Sequence, residues 1–261
     1  MYTRYQCKGV PSLVFINKDG QEIDRIVGFR EPSDYLNSIK KISSNIETFF
    51  SLRNQYFSGK HSIELLSMLA NKYDQQSKLD SANILYNKLS TYKLSKEMKY
   101  EVEYFKSKYQ LSKNNDPSLI TDYINTYTGS PYIKKAFLRK ISFFRIQENK
   151  GFEIKTYVEA ISSFPNDYSL LNRYAWRMTE LGVNLVDALN KSSHAISLIE
   201  DEKEKAMVID TKAEILWKLN RFEESVDEID KALRIDPENS YYIKQKSKFL
   251  NSLSKKISSS I

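Results

Sequence analysis

A chain of 261 residues, 41% of them apolar, is long enough for about two domains with packed cores. A single cysteine excludes an intrachain disulfide, and two histidines far apart make a metal site a poor fit. The net charge of +7 is uneven: residues 1–165 carry +8 and residues 166–261 carry −1. Acids interleave with the bases almost throughout, so solvated lysine-rich helix faces explain the excess better than a nucleic-acid surface. No run of eighteen apolar residues is present to cross a membrane, and no secretory signal is visible. Seven glycines and six prolines are few for an all-β chain rich in turns.

Residues 1–46 read differently from the rest. Ser12-Leu13-Val14-Phe15-Ile16 is a short, nearly continuous apolar run, the pattern of a buried strand. Asn17-Lys18-Asp19-Gly20 carries the Asp-Gly pair of hairpin turns, and Glu22 to Val27 forms a second strand that ends at Gly28. Glu31-Pro32-Ser33 then opens a helix expected to bury Tyr35, Leu36, Ile39 and Ile42.

This order, with Tyr5-Gln6-Cys7-Lys8-Gly9-Val10-Pro11-Ser12 before it and Val27-Gly28-Phe29 after it, resembles the C-terminal half of a thioredoxin fold. The resemblance implies a cis peptide bond before Pro11, with Val10 and Pro11 as the pair that meets a bound peptide. It places Cys7 at an apolar inward position, as a structural thiol. The family's Cys-x-x-Cys half would stand before Tyr5, where there are four residues, so a truncated domain is expected. A dithiol cycle needs two thiols, and this chain has a single cysteine.

From residue 47 to residue 165 the pattern is helical, in hairpins that are repeat-like without a strict signature. Ser44-Asn45-Ile46-Glu47 has capping-box spacing. Apolar stripes follow at Ile63–Tyr73, Ala82–Leu89 and Met98–Tyr109. Asp116-Pro117 and Ser130-Pro131 start two further helices, Leu119–Tyr127 and Tyr132–Glu148. The second carries Lys134, Lys135, Arg139, Lys140 and Arg145 beside Phe137, Leu138, Ile141 and Phe144, read as a core helix with a basic outer side. The 18 tyrosines fall mostly on apolar stripes, where they fill gaps between helices.

The clearest unit is Ala206 to Asn239, 34 residues long, the period of a two-helix solenoid repeat. Ile209, Ala213 and Leu216 form one stripe, and Phe222, Val226, Ile229 and Leu233 another, with Asn220-Arg221-Phe222 as the turn between them. Small residues at Ala213 and Ala232 let the helices approach, and Asp236-Pro237 closes the unit. These positions resemble the tetratricopeptide repeat. Lys212 stands where that family prefers leucine, and Ser225 where it prefers alanine. Tyr168–Ile199 resembles a second unit, built on Leu171, Tyr174, Ala175 and Met178. Tyr241–Leu253 is read as a capping helix with Ile243, Ser247 and Leu250 inward, and residues 254–261 as a disordered tail.

The expected architecture is mainly α. A truncated thioredoxin-like ββα segment (1–46) is followed by helical hairpins (47–165), then tetratricopeptide-like repeats with a capping helix (166–253). By resemblance, stacked first helices line a groove with Asn172, Arg173, Trp176, Asp210, Glu214, Trp217, Tyr241, Lys244 and Lys248. Thr179 and Met207 join them, and Trp217 lies either in the groove or between helices. Tryptophan, tyrosine and arginine are the residues most enriched at binding hot spots. The expected role is a protein–protein interaction module with a protein or peptide partner, no nucleic acid, no cofactor, no metal and no catalytic residue. The alternative is a thiol–disulfide oxidoreductase whose redox half lies outside this chain. The whole order resembles bacterial thioredoxin-family proteins with a helical-repeat extension, which implies export or a periplasmic location.

Overall fold

The computed structural model describes residues 4, 5, 7 and 10–258. Two short strands and thirteen α-helices account for the secondary structure of these residues, in the order two strands, then helices without interruption. They divide into two compact units, Met1–Phe143 and Phe144–Ile261.

In the first unit, β1 (Ser12–Ile16) pairs antiparallel with β2 (Glu22–Val27), from Ser12 opposite Val27 to Ile16 opposite Glu22. Asn17 builds the turn: its side-chain oxygen accepts the Asp19 and Gln21 amides, and Gly20 takes a left-handed φ of 74°. A residue without Cβ suits that conformation. The Val10–Pro11 peptide is cis. The helix α1 (Pro32–Ser43) follows, with proline in its first turn.

Two expectations for this segment need correction. The first strand is not buried: Leu13 and Ile16 are 40% and 48% exposed, because the sheet has two strands and no layer covers its outer side among the described residues. Leu36 is also exposed, leaving Ile42 as the buried anchor of α1. The segment is joined to the helices by charge. Asp24, 3% exposed, takes Lys72 of α3 (Ile63–Gln75) at 2.5 Å. Glu22 holds Arg25 through two 2.7 Å bonds and also accepts Gln76 Nε2 at 3.0 Å.

The core of this unit joins α2 (Phe49–Phe57), α3, α4 (Leu79–Leu89) and α5 (Lys96–Asn114). Leu66, Leu69, Ala70, Ala82 and Leu89 are fully buried there. Ser44 is not a helix start. It ends α1, and Thr48 caps α2 by accepting the Ser51 amide, because Asn45 and Glu47 both sit at positive φ and reverse the chain between the helices. Tyrosines serve the core and keep their hydroxyls bonded. Tyr86 donates to Glu101 and stacks on Phe105, with ring centroids 4.2 Å apart. Tyr123 bonds Ser130 at 2.6 Å. After α6 (Ser118–Thr126), α7 (Ile133–Ile146) buries Ala136, Phe137, Ile141 and Phe144, as its apolar stripe requires.

The second unit stacks α8 (Lys150–Ser163), α9 (Tyr168–Leu181), α10 (Leu185–Leu198), α11 (Glu202–Lys218), α12 (Phe222–Ile235) and α13 (Ser240–Ser258). Helix pairs α9/α10 and α11/α12 are hairpins closed by tight turns, with Gly182 and Asn220 left-handed. Ala206, Ala213, Ile229, Ala232 and Phe249 form one cluster. Both departures from the repeat signature have local reasons. Lys212 reaches Glu228 at 3.2 Å across the hairpin, and fully buried Ser225 satisfies its hydroxyl on the Phe222 carbonyl at 2.7 Å.

The last helix corrects two further expectations. It continues to Ser258, so residues 254–258 are helical; 259–261 lie outside the described residues. Its inward face is Tyr242, Gln245 and Phe249, while Ile243 and Leu250 are 47% and 41% exposed. The helix is rotated from the expected orientation because Tyr242 and Phe249 bury more area in the α11/α12 cluster than the aliphatic pair would.

One ion pair is deep in the wall of α8 and α9. Glu153 is fully buried and accepts Arg177 twice, at 2.7 and 2.9 Å. Removing the arginine strands that charge, so Arg177→Met should cost about 3 kcal/mol. Glu153→Gln combined with Arg177→Met should recover much of the loss in urea unfolding. Equal losses in the single and double variants would contradict this account.

Candidate functional site

The first helices of successive hairpins, α9 and α11, together with α13, carry the expected groove residues. Their positions separate into exposed side chains and a buried polar set. Arg173, Met207, Tyr241 and Lys244 are exposed, Met207 by 57% and Tyr241 by 48%. Trp176 is 36% exposed, and its indole N–H donates to Glu180 at 3.1 Å. Glu180 also accepts Arg177 at 3.0 Å, so the Trp176 ring is tied through Arg177 to the buried Glu153. Thr179 is buried and bonds the Ala175 carbonyl.

Trp217 belongs between helices. It is half-buried, its N–H donates to Ser252 Oγ of α13 at 2.8 Å, and its ring lies under Lys248 Nζ, 4.3 Å from the centroid. Lys248 is in turn bound to Glu214. The lysine therefore holds a cation–π contact and an ion pair at once, which fixes α13 against α11.

The buried set includes Asp210 and Glu214, one turn apart on α11 and 6% and 7% exposed. Glu214 Oε2 accepts Lys248 and, at 3.3 Å, Gln245 Nε2. The same Gln245 nitrogen donates to the Tyr241 hydroxyl at 2.8 Å. Oδ1 of Asp210 is buried with no hydrogen-bond partner, and so is Asn172 Oδ1 on α9. Burial, reinforced by the neighbouring Glu214 charge, pushes the Asp210 carboxyl up to about 7 against the opposing pull of Lys248 and Tyr241.

The fold thus brings Asp210, Glu214, Tyr241 and Lys248 together. Trp217 is withdrawn into the helix packing, and Lys244 and Arg173 remain on the surface. Sequence reasoning missed Gln245, Ser252, Glu153 and Arg177. The last two had a signal: an acid on the apolar stripe of one helix and an arginine on the next. Val10 and Pro11 lie far from these residues in sequence, both exposed, Val10 by 80%. Cys7 is half-buried. No helix is long and apolar enough to cross a membrane, and the described residues contain no cluster of three or more potential metal ligands.

No protein-family model matches this chain, and no curated protein sequence matches it. Solved structures do. YrrB, described as a TPR protein with an unusual peptide-binding site, superposes with a TM-score of 0.51 at 14% identity, over 76% of this chain and 98% of its own. BtubC (BKLC) from P. vanneervenii gives a TM-score of 0.51 at 12% identity, over 72% of this chain and 86% of its own. At such identities the likeness concerns the fold: the chain is a mainly α protein with a tetratricopeptide-like helical-repeat architecture, preceded by a short two-stranded sheet.

Proposed function

We propose that this chain is a protein–protein interaction module and that it holds an extended peptide segment along α9, α11 and α13. The observation that carries the reading is the pairing of exposed anchors with unsatisfied acceptors on the same three helices. Trp176, Met207 and Tyr241 offer apolar and aromatic surface, while Asn172 Oδ1 and Asp210 Oδ1 lack partners. A buried acceptor with nothing to accept is costly, and a ligand donor relieves that cost. The likeness to YrrB, itself described as having a peptide-binding site, supports the same reading.

An array of 12-residue peptides with varied sequence tests it. The chain is expected to retain a subset that Trp176→Ala weakens at least fivefold, with Met207→Ser acting in the same direction. A set of retained peptides indifferent to both changes would place binding elsewhere.

The order β1, β2, α1 favours a second element of the proposal: residues 1–46 as the C-terminal half of a thioredoxin-like fold, with Val10 and Pro11 as its peptide-facing pair. With one thiol the chain by itself is expected to show no turnover in an insulin-reduction assay. Measurable turnover would contradict the single-thiol argument.

A further inference from the structure

We infer that the buried polar set on α11 and α13 is an anchor for a basic side chain, an arginine or lysine of the bound peptide, which donates to Asp210 Oδ1. This rests on the peptide-binding reading and specifies its ligand.

Donors and charges in this set do not balance. Asp210 and Glu214 bring two carboxylates, and Lys248 brings one ammonium. That ammonium bonds Glu214. Gln245 Nε2 donates to Glu214 and to the Tyr241 hydroxyl. None of these donors is placed on Asp210 Oδ1, which is buried without a partner. When both acids are ionised, one negative charge is also left without a counter-ion. A neutral peptide amide would supply the hydrogen bond alone. A guanidinium or ammonium supplies the hydrogen bond and the missing charge.

The surroundings fit this polarity. Arg173 of α9 and Lys244 of α13 are exposed cations, solvated and screened, while Asp210 is desolvated. From α11 Asp210 faces Glu214, and from α13 it feels Lys248, Tyr241 and Tyr242. On α12, Glu228 is committed to Lys212 and Lys231. Burial holds a proton on Asp210 up to about pH 7, so a cation must displace that proton, and its binding strengthens as pH rises.

The test uses the full chain, n-butylguanidinium as probe and n-butylurea as its uncharged counterpart, followed by the amide resonances of Asp210 and Gln245. A saturable shift with the guanidinium and none with the urea is expected. Asp210→Asn should weaken binding at least tenfold, and the wild type should bind about tenfold more tightly at pH 8 than at pH 6. Unchanged resonance dispersion in Asp210→Asn shows that the variant is folded. Equal shifts from butylurea, equal affinity in Asp210→Asn, or tighter binding at pH 6 would each overturn the inference. Array peptides that still depend on Trp176 would then leave the peptide-binding reading standing with a different anchor.

Discussion

Ala232→Glu is expected to cost about 5 kcal/mol and to remove the folding transition of the second unit. Ala232 is fully buried where α12 meets α11, among Ala206, Ile209, Ala213, Ile229, Tyr242 and Phe249. The methyl group lets the helices approach. A glutamate there does two kinds of damage. Its extra methylenes force the helices apart, a penalty of about 1–3 kcal/mol for overpacking. Its carboxylate has no cation within that cluster and must either stay ionised without a partner or be protonated. Urea unfolding followed by far-UV circular dichroism reads the loss. Ser225→Ala is the matched control on the same helix. It trades a buried hydroxyl, bonded only within its own turn, for a methyl, and should shift stability by no more than about 1 kcal/mol. An unchanged curve for Ala232→Glu would mean that α12 does not pack through this face.

The second large effect is a dependence of stability on pH that originates at Asp210. Its folded carboxyl is raised from 3.8 to about 7. Between those values the folded chain binds a proton that the unfolded chain has released. Stability from this group is therefore full below about pH 4 and declines as pH rises through 7. At 1.36 kcal/mol per unit, the span amounts to about 4 kcal/mol. Asp210→Asn keeps the shape, carries no charge and should flatten this dependence, leaving the variant more stable than the wild type at pH 8. Melting curves of both proteins at pH 5, 6, 7 and 8 measure it. Parallel curves would show that the Asp210 carboxyl meets water or a cation in the folded chain. The same burial that destabilises the ionised acid also makes it a selective acceptor, so stability and binding are expected to oppose one another at this residue.

The buried pair Glu153–Arg177 connects the core to the exposed Trp176. Arg177 neutralises Glu153 on one side and orders Glu180 on the other, and Glu180 holds the Trp176 indole. Trp176 therefore presents its ring with little freedom to lose on binding, which favours it as an anchor over a free side chain. Lys248 has the corresponding part on α13, seated on the Trp217 ring and bound to Glu214.

The repeats were legible in the sequence because their information is local. Alanines at Ala213 and Ala232, bulky residues at Leu216 and Ile229, and a proline at 237 state a helical period and a close approach without any knowledge of what lies opposite. The strand–turn–strand–helix order of residues 12–43 was legible for the same reason: an apolar run, an Asp-Gly turn and a proline at a helix start are each decided by a few neighbours. Burial of a given face was less legible. In α13, Ile243 and Leu250 lie one position away from Tyr242 and Phe249. Both stripes have helical spacing, and only the shape of the α11/α12 cluster selects the aromatic one.

By itself, then, the order of residues determined a helical-repeat chain with a short β-hairpin at its start, since period, turn chemistry and capping act within a dozen residues. Tertiary packing decided the rest. It set Trp217 against Ser252 of α13, left Leu13 and Ile16 uncovered, and set two carboxylates against a single lysine with one oxygen of Asp210 left without a donor. Those outcomes depend on partners more than thirty residues away in the chain, such as Lys248 for Glu214 and Ser252 for Trp217. Charge and hydrogen-bond balance at a buried site is a property of the assembled neighbours, and no single helix carries it.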